Sequence, residues 1–216
     1  MSLKDSVKDA LLEQIERLEG RVDHFYLDSV GKVTIGIGHK VTSEAAAAEL
    51  PLCIPRMFGW WLRKATAEEK QAEYQFVQLN GPDTLYRYKA SYYKQFTRLI
   101  MLDEDIDKLL LNHIKSFHSE LSRLYNRKNG FYRDFDEYPD EVQMVLFDMI
   151  FNLGMTNLRS AWPKFNGAIK IEDWKTAAEE SSRRQVSLAR NDYVRDLLLT
   201  AYQEQQEIEA GKSKAS

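Results

Sequence analysis

Glu19, Asp28 and Thr34 are the residues whose types and spacing could do chemistry most directly. Hydrolysing a bond between two sugars takes one carboxylic acid to protonate the leaving oxygen and a second carboxylate to activate water or attack. Glu19 closes a stretch of alternating charged and apolar residues, and Asp28 opens Asp28-Ser29-Val30-Gly31, a run with turn chemistry. The segment Gly20 to Leu27 between them can therefore fold back and present both carboxylates across one groove. Thr34 falls on the returning strand, where its hydroxyl could hold a water beside Asp28. Among 33 acidic residues such a pair also arises from a helix-terminal glutamate and a turn aspartate, so spacing does not separate the two readings.

Other candidates read as structural. His39 ends a glycine-rich strand, where its two ring nitrogens would tie strand to helix. His113 and His118 are five positions apart on one expected helix, not the four that bring two metal ligands onto one face. No metal site and no cofactor is expected. Gly36-Ile37-Gly38 lacks the third glycine of a dinucleotide fingerprint and opens no helix. Asp148 and Asn152 interrupt an apolar helix as satisfied core polar groups, and Arg190 reads as one half of a surface salt bridge.

These side chains need elements to hold them. Val7, Leu11, Ile15 and Leu18 recur at helical spacing and predict an amphipathic helix closed by Glu19-Gly20. Phe25-Tyr26-Leu27 and Lys32 to Ile37 flank the Asp28 turn and predict a hairpin, with a bend or a close approach at Gly36 and Gly38. The rest reads as helical. Helices are expected at Glu44 to Leu50, Thr66 to Leu79, Asp103 to Leu124, Glu141 to Leu153, Lys164 to Lys170, Asp173 to Arg183 and Leu188 to Tyr202. The helix beginning at Glu141, apolar on nearly every face, is expected to be central, and residues 207–216 read as a flexible tail.

The composition sets limits. With 216 residues, 44% hydrophobic and 29% charged, the chain can bury a core without a second chain, so a monomer is expected. Net charge is -3, which offers no broad attraction for nucleic acid. The single cysteine, Cys53, excludes an intrachain disulfide. No run is apolar enough to insert into a membrane, and Met1 to Glu19 lacks the apolar centre of a signal peptide.

The run Glu19-Gly20 through Tyr26, Asp28, Gly31 and Thr34-Ile35-Gly36-Ile37-Gly38-His39 resembles the catalytic segment of the T-even phage lysozyme family. A second block, Phe151-Asn152-Leu153-Gly154 followed by Trp174, Ala177-Ala178, Arg190 and Val194, is similar to that family's C-terminal lobe. The resemblance implies an α+β, mostly α, two-lobed lysozyme-like domain over residues 1–206. It would have an N-terminal lobe of about 1–102 holding the hairpin, a helical C-terminal lobe of about 103–206, and a cleft between them for peptidoglycan. It further implies a muramidase that inverts the anomeric centre, with Glu19 as general acid, Asp28 as the base directing water and Thr34 helping to place that water.

The chain departs from the family between Ser43 and Met101, read as an enlarged helical insertion at 43–101. Its aromatics Trp60, Trp61, Tyr74, Phe76, Tyr86, Tyr88, Tyr92, Tyr93 and Phe96 are expected to form the core of that insertion rather than to stack on sugars. Arg56, Arg63 and Lys64 could meet wall carboxylates. The expected partner is peptidoglycan, acted on in the periplasm of the host or of a target cell after lysis or dedicated secretion. Phage endolysin and secreted antibacterial effector are both compatible, the latter with an immunity protein as second partner. The alternative is a catalytically silent lysozyme-fold module that binds wall or inhibitor.

Overall fold

The computed structural model describes residues 3–55, 61–80 and 89–214. Among the described residues it is mostly helical, 64% helix, with small antiparallel sheets and a helical C-terminal region. The α+β, mostly α class expected from sequence is what the chain adopts. It divides into two compact units, residues 15–113 and residues 1–14 with 114–216. The divisions fall inside helices α1 (Asp5–Glu19) and α5 (Asp103–Leu124) rather than at 102/103. Side-chain contacts explain this. Lys4 and Ser6 bond Asp140 at 2.6 and 3.3 Å, holding the start of α1 to the second unit. Ile106 and Leu109 meanwhile lie 3.7 Å from where a Cβ on Gly36 would be.

In the 15–113 unit, β1 (Val22–Leu27), β2 (Val33–Gly36) and β3 (His39–Lys40) form one antiparallel sheet. Alternation assigns Phe25, Leu27, Val33 and Ile35 to the core, and all four are buried. The chain reverses between the paired residues Ile35 and His39 through Gly36 and Gly38, both at positive φ (67° and 69°). That conformation is cheap only for glycine, so the bend expected here is a tight turn.

The expected all-helical insertion is corrected by a second antiparallel sheet. Its order is β5 (Leu62–Lys64), β4 (Leu52–Pro55), β6 (Ile100–Met101). Leu52 pairs with Met101 and Cys53 with both Ile100 and Lys64. Around it lie α2 (Glu44–Glu49), α3 (Ala67–Leu79) and the short α4 (Ala90–Tyr93). α3 starts with a capping box, Thr66 accepting from the Glu69 amide and Glu69 accepting from the Thr66 amide.

The aromatics of this region divide. Tyr74 and Tyr93 are core, as expected. Trp61 is 74% exposed, and Phe76 and Phe96 are exposed too, so the core expectation fails for these three. Phe76 and Phe96 turn to each other across α3 and the end of α4, with ring centroids 6.3 Å apart. Arg63 is committed to Glu69 at 2.6 Å, leaving little of it for a wall carboxylate. Trp60, Tyr86, Tyr88 and Arg56 lie outside the described residues.

In the other unit α6 (Asp140–Leu153) buries Val142, Gln143 and the run Val145 to Ile150, which makes it the central helix the sequence predicts. α7 (Met155–Ala161), α8 (Pro163–Lys170), α9 (Trp174–Glu179) and α10 (Leu188–Lys214) follow. α10 packs on α6 and α9 and runs on through Glu207, Ile208, Glu209 and Ala210. The last stretch read as a tail is therefore helical to residue 214, in keeping with good helix formers there. Arg190 corrects a further expectation. It is buried, its Nε donating to Asp148 Oδ1 at 2.8 Å, and Arg183 Nη1 donates to Asp148 Oδ2 at 2.6 Å. Asp148 is thus the satisfied core polar group expected, and Arg190 is no surface residue.

Candidate active site

Glu19 is the last residue of α1, and Gly20 follows at φ 74°, turning the chain into β1. Asp28 opens the β1–β2 turn. Its Oδ1 accepts the Val30 and Lys32 amides at 2.9 and 2.8 Å, and its carbonyl accepts the Gly31 amide at 3.0 Å. One carboxylate oxygen is thereby consumed in fixing the turn. The other, Oδ2, lies 4.0 Å from Lys40 Nζ, and the side chain as a whole is 17% exposed. Asp28 is rigidly aimed, with one oxygen left for work.

Thr34 sits in the middle of β2, directly opposite Tyr26 on β1 and Lys40 on β3. Directly paired residues project from the same face of a sheet, so Tyr26, Thr34 and Lys40 form one row. Thr34 is 2% exposed, and its hydroxyl donates to the Lys32 carbonyl at 3.0 Å. The hydroxyl proton is committed to the Asp28 turn, and only the oxygen lone pairs remain to accept from a further group.

Tyr26 lies on β1, between Glu19 and Asp28 in the chain. Burial pushes its phenol up to about 12, and the negative charges of Glu19 and then Asp28 add to the effect. Glu19, Tyr26 and Asp28 all lie in the 15–113 unit. Sequence reasoning counted Tyr26 only as part of a motif and missed Lys40. Both follow from strand alternation once the pairing partners of Thr34 are known.

His39 takes the structural part expected of it. Its Nδ1 lies 2.8 Å from His113 Nε2 on α5, tying β3 to that helix. Such a bond needs one ring nitrogen protonated and the other bare. Burial, and then His113, bring His39 down to about 4, and burial lowers His113 as well. A histidine held below its ordinary value stabilises the fold fully above about pH 6.5, and that contribution is lost as the pH falls toward 4. Chemical denaturation of the wild type is expected to lose about 2 kcal/mol more between pH 7 and 4 than does His39→Gln. Equal pH slopes for the two proteins would refute this role.

His118 bonds Asp136 at 2.6 Å, and among the described residues no group of three or more His, Cys, Asp or Glu is arranged to hold a metal. No helix among them is long and apolar enough to cross a membrane. No protein-family model matches the chain, and no curated protein matches it.

Proposed function

We propose that this chain is a peptidoglycan muramidase, hydrolysing the β-1,4 bond between N-acetylmuramic acid and N-acetylglucosamine with inversion and without a cofactor. The observation that supports the reading is the placement of Glu19 at the end of α1, Asp28 in a hydrogen-bonded turn and Thr34 on the paired return strand, all within the 15–113 unit. Glu19 protonates the departing glycosidic oxygen. Asp28 Oδ2, the oxygen not spent on the turn, takes the proton of the attacking water. Thr34, its own proton given to Lys32, accepts a hydrogen from that water and orients a lone pair toward the anomeric carbon. Direct displacement by water forms no glycosyl-enzyme and reverses the anomeric configuration.

This activity suits a phage endolysin or a secreted antibacterial effector acting on the periplasmic wall. Digestion of purified sacculi tests it. Mass spectrometry is expected to find soluble muropeptides ending in reducing N-acetylmuramic acid, and proton NMR of fresh product to find the α anomer before mutarotation. A catalytically silent wall-binding module would co-sediment with sacculi and release nothing. Reducing N-acetylglucosamine ends, or a β anomer, would equally overturn the assignment.

A further inference from the structure

The 1–14/114–216 unit holds a cavity of about 860 Å³ lined by residues of α5, α7, α8 and the Asn126–Phe131 loop. Its floor is apolar, from Leu124, Phe131 and Met155, and its charged groups are Arg123, Arg159 and Glu120. Most of the remaining polar lining is already spent. Asn166 accepts from Tyr125 Oη at 2.6 Å and donates to the Leu158 carbonyl at 2.7 Å. The Asn129 amide nitrogen donates to the carbonyls of Arg123 and Leu124, each at 2.8 Å. Arg123 uses Nε and Nη2 on Ser119. Left over are Arg123 Nη1 and the whole guanidinium of Arg159, which has no hydrogen bond or ion pair among the described residues. Lys170 adds a third cation beside the cavity, its Nζ 5.9 Å from the Phe131 ring centre. Two guanidinium groups and one carboxylate line the cavity together with apolar Leu124, Phe131 and Met155, and Lys170 adjoins it at Phe131.

We propose that this cavity binds the C-terminal carboxylate of a short peptide with small apolar side chains. The acid lies between Arg159 and Arg123, and its side chains cover Leu124, Phe131 and Met155. Guanidinium groups match a carboxylate with paired hydrogen bonds. The apolar floor favours an anion carried on an apolar body over a bare phosphate. The volume lies within the range of small-ligand pockets, about 300–1,000 Å³. Two sources offer this chemistry: peptides ending in D-alanine and ordinary L-peptide C-termini.

Calorimetric titration of the full chain separates them, using N-acetylated tripeptides ending in D-Ala-D-Ala or L-Ala-L-Ala, their C-terminal amides and inorganic phosphate. Saturable binding of an acid is expected, weakened about tenfold or more by amidation or by Arg159→Gln, since a charge-assisted bond contributes at least that much. Preference for the D- or the L-peptide identifies the source. Equal binding of acid and amide, an unchanged Arg159→Gln, or phosphate binding as tightly as the peptide would overturn the proposal. Because Arg159 is exposed and makes no bonds in the fold, this variant should fold normally. The readout is independent of glycan hydrolysis, so it stands or falls apart from the muramidase reading.

Discussion

Glu19→Gln is expected to lower the release of soluble muropeptides from sacculi by about 10²–10⁴-fold, the range attributable to a positioned general acid. The reason is the leaving group. A sugar alkoxide departs poorly unless it receives a proton as the bond breaks, and glutamine fills the same space without a proton to give. Glutamine keeps the size of the side chain and leaves the positive-φ Gly20 unchanged, and circular dichroism of the variant checks that the fold is retained.

Asp28→Asn is the matching test on the other side of the sugar. Asparagine Oδ1 can still accept the Val30 and Lys32 amides, so the turn survives while the base is removed. Asp28→Ala would lose turn and base together and could not tell them apart. Wild-type wall cleavage by folded Glu19→Gln protein would sink the catalytic assignment.

The largest effect on stability is expected at Asp148, whose removal should cost about 3–5 kcal/mol. Its two oxygens each take a guanidinium, Arg183 at 2.6 Å and Arg190 at 2.8 Å, with all three side chains nearly excluded from water. Asp148→Asn takes from Arg183 and Arg190 the buried carboxylate that both of them hold. In a protein of this size that loss corresponds to a fall in melting temperature of roughly 10 °C.

Arg183→Met should be far milder. Burial already lowers Arg183 from its usual range, and its Nη2 is buried without a hydrogen-bond partner. Removing it takes away that unsatisfied group and leaves Asp148 paired with Arg190. Calorimetric melts of the two variants decide the matter. An Asp148→Asn protein no less stable than Arg183→Met would show that the carboxylate does not hold this cluster together.

Much of the scaffold is legible in the sequence because its signals are local. Val7, Leu11 and Ile15 mark the buried stripe of α1. Thr66 and Glu69 spell out the capping box of α3, and the boundaries of α5 can be read directly. The second sheet is hidden for the opposite reason. Its longest strand has four residues, it follows Pro51 and ends on Pro55, and its partner Met101 lies far along the chain from Leu52. No periodicity develops over so short a run, and the hydrogen bonds that define the strand come from sequence-distant backbone.

The same distinction governs the functional residues. By itself the sequence determined that Glu19 ends a helix, that Asp28 opens a turn and that Thr34 follows on the return strand, since capping, turn chemistry and alternation act over a few residues. Tertiary structure alone decided that Thr34 stands opposite Tyr26 on β1. It likewise decided that Lys40 joins their row, that His39 meets His113, and that Arg190 leaves the surface for Asp148. Each of these depends on a partner brought close by strand pairing or helix packing, and an isolated residue type carries no record of what will be packed against it.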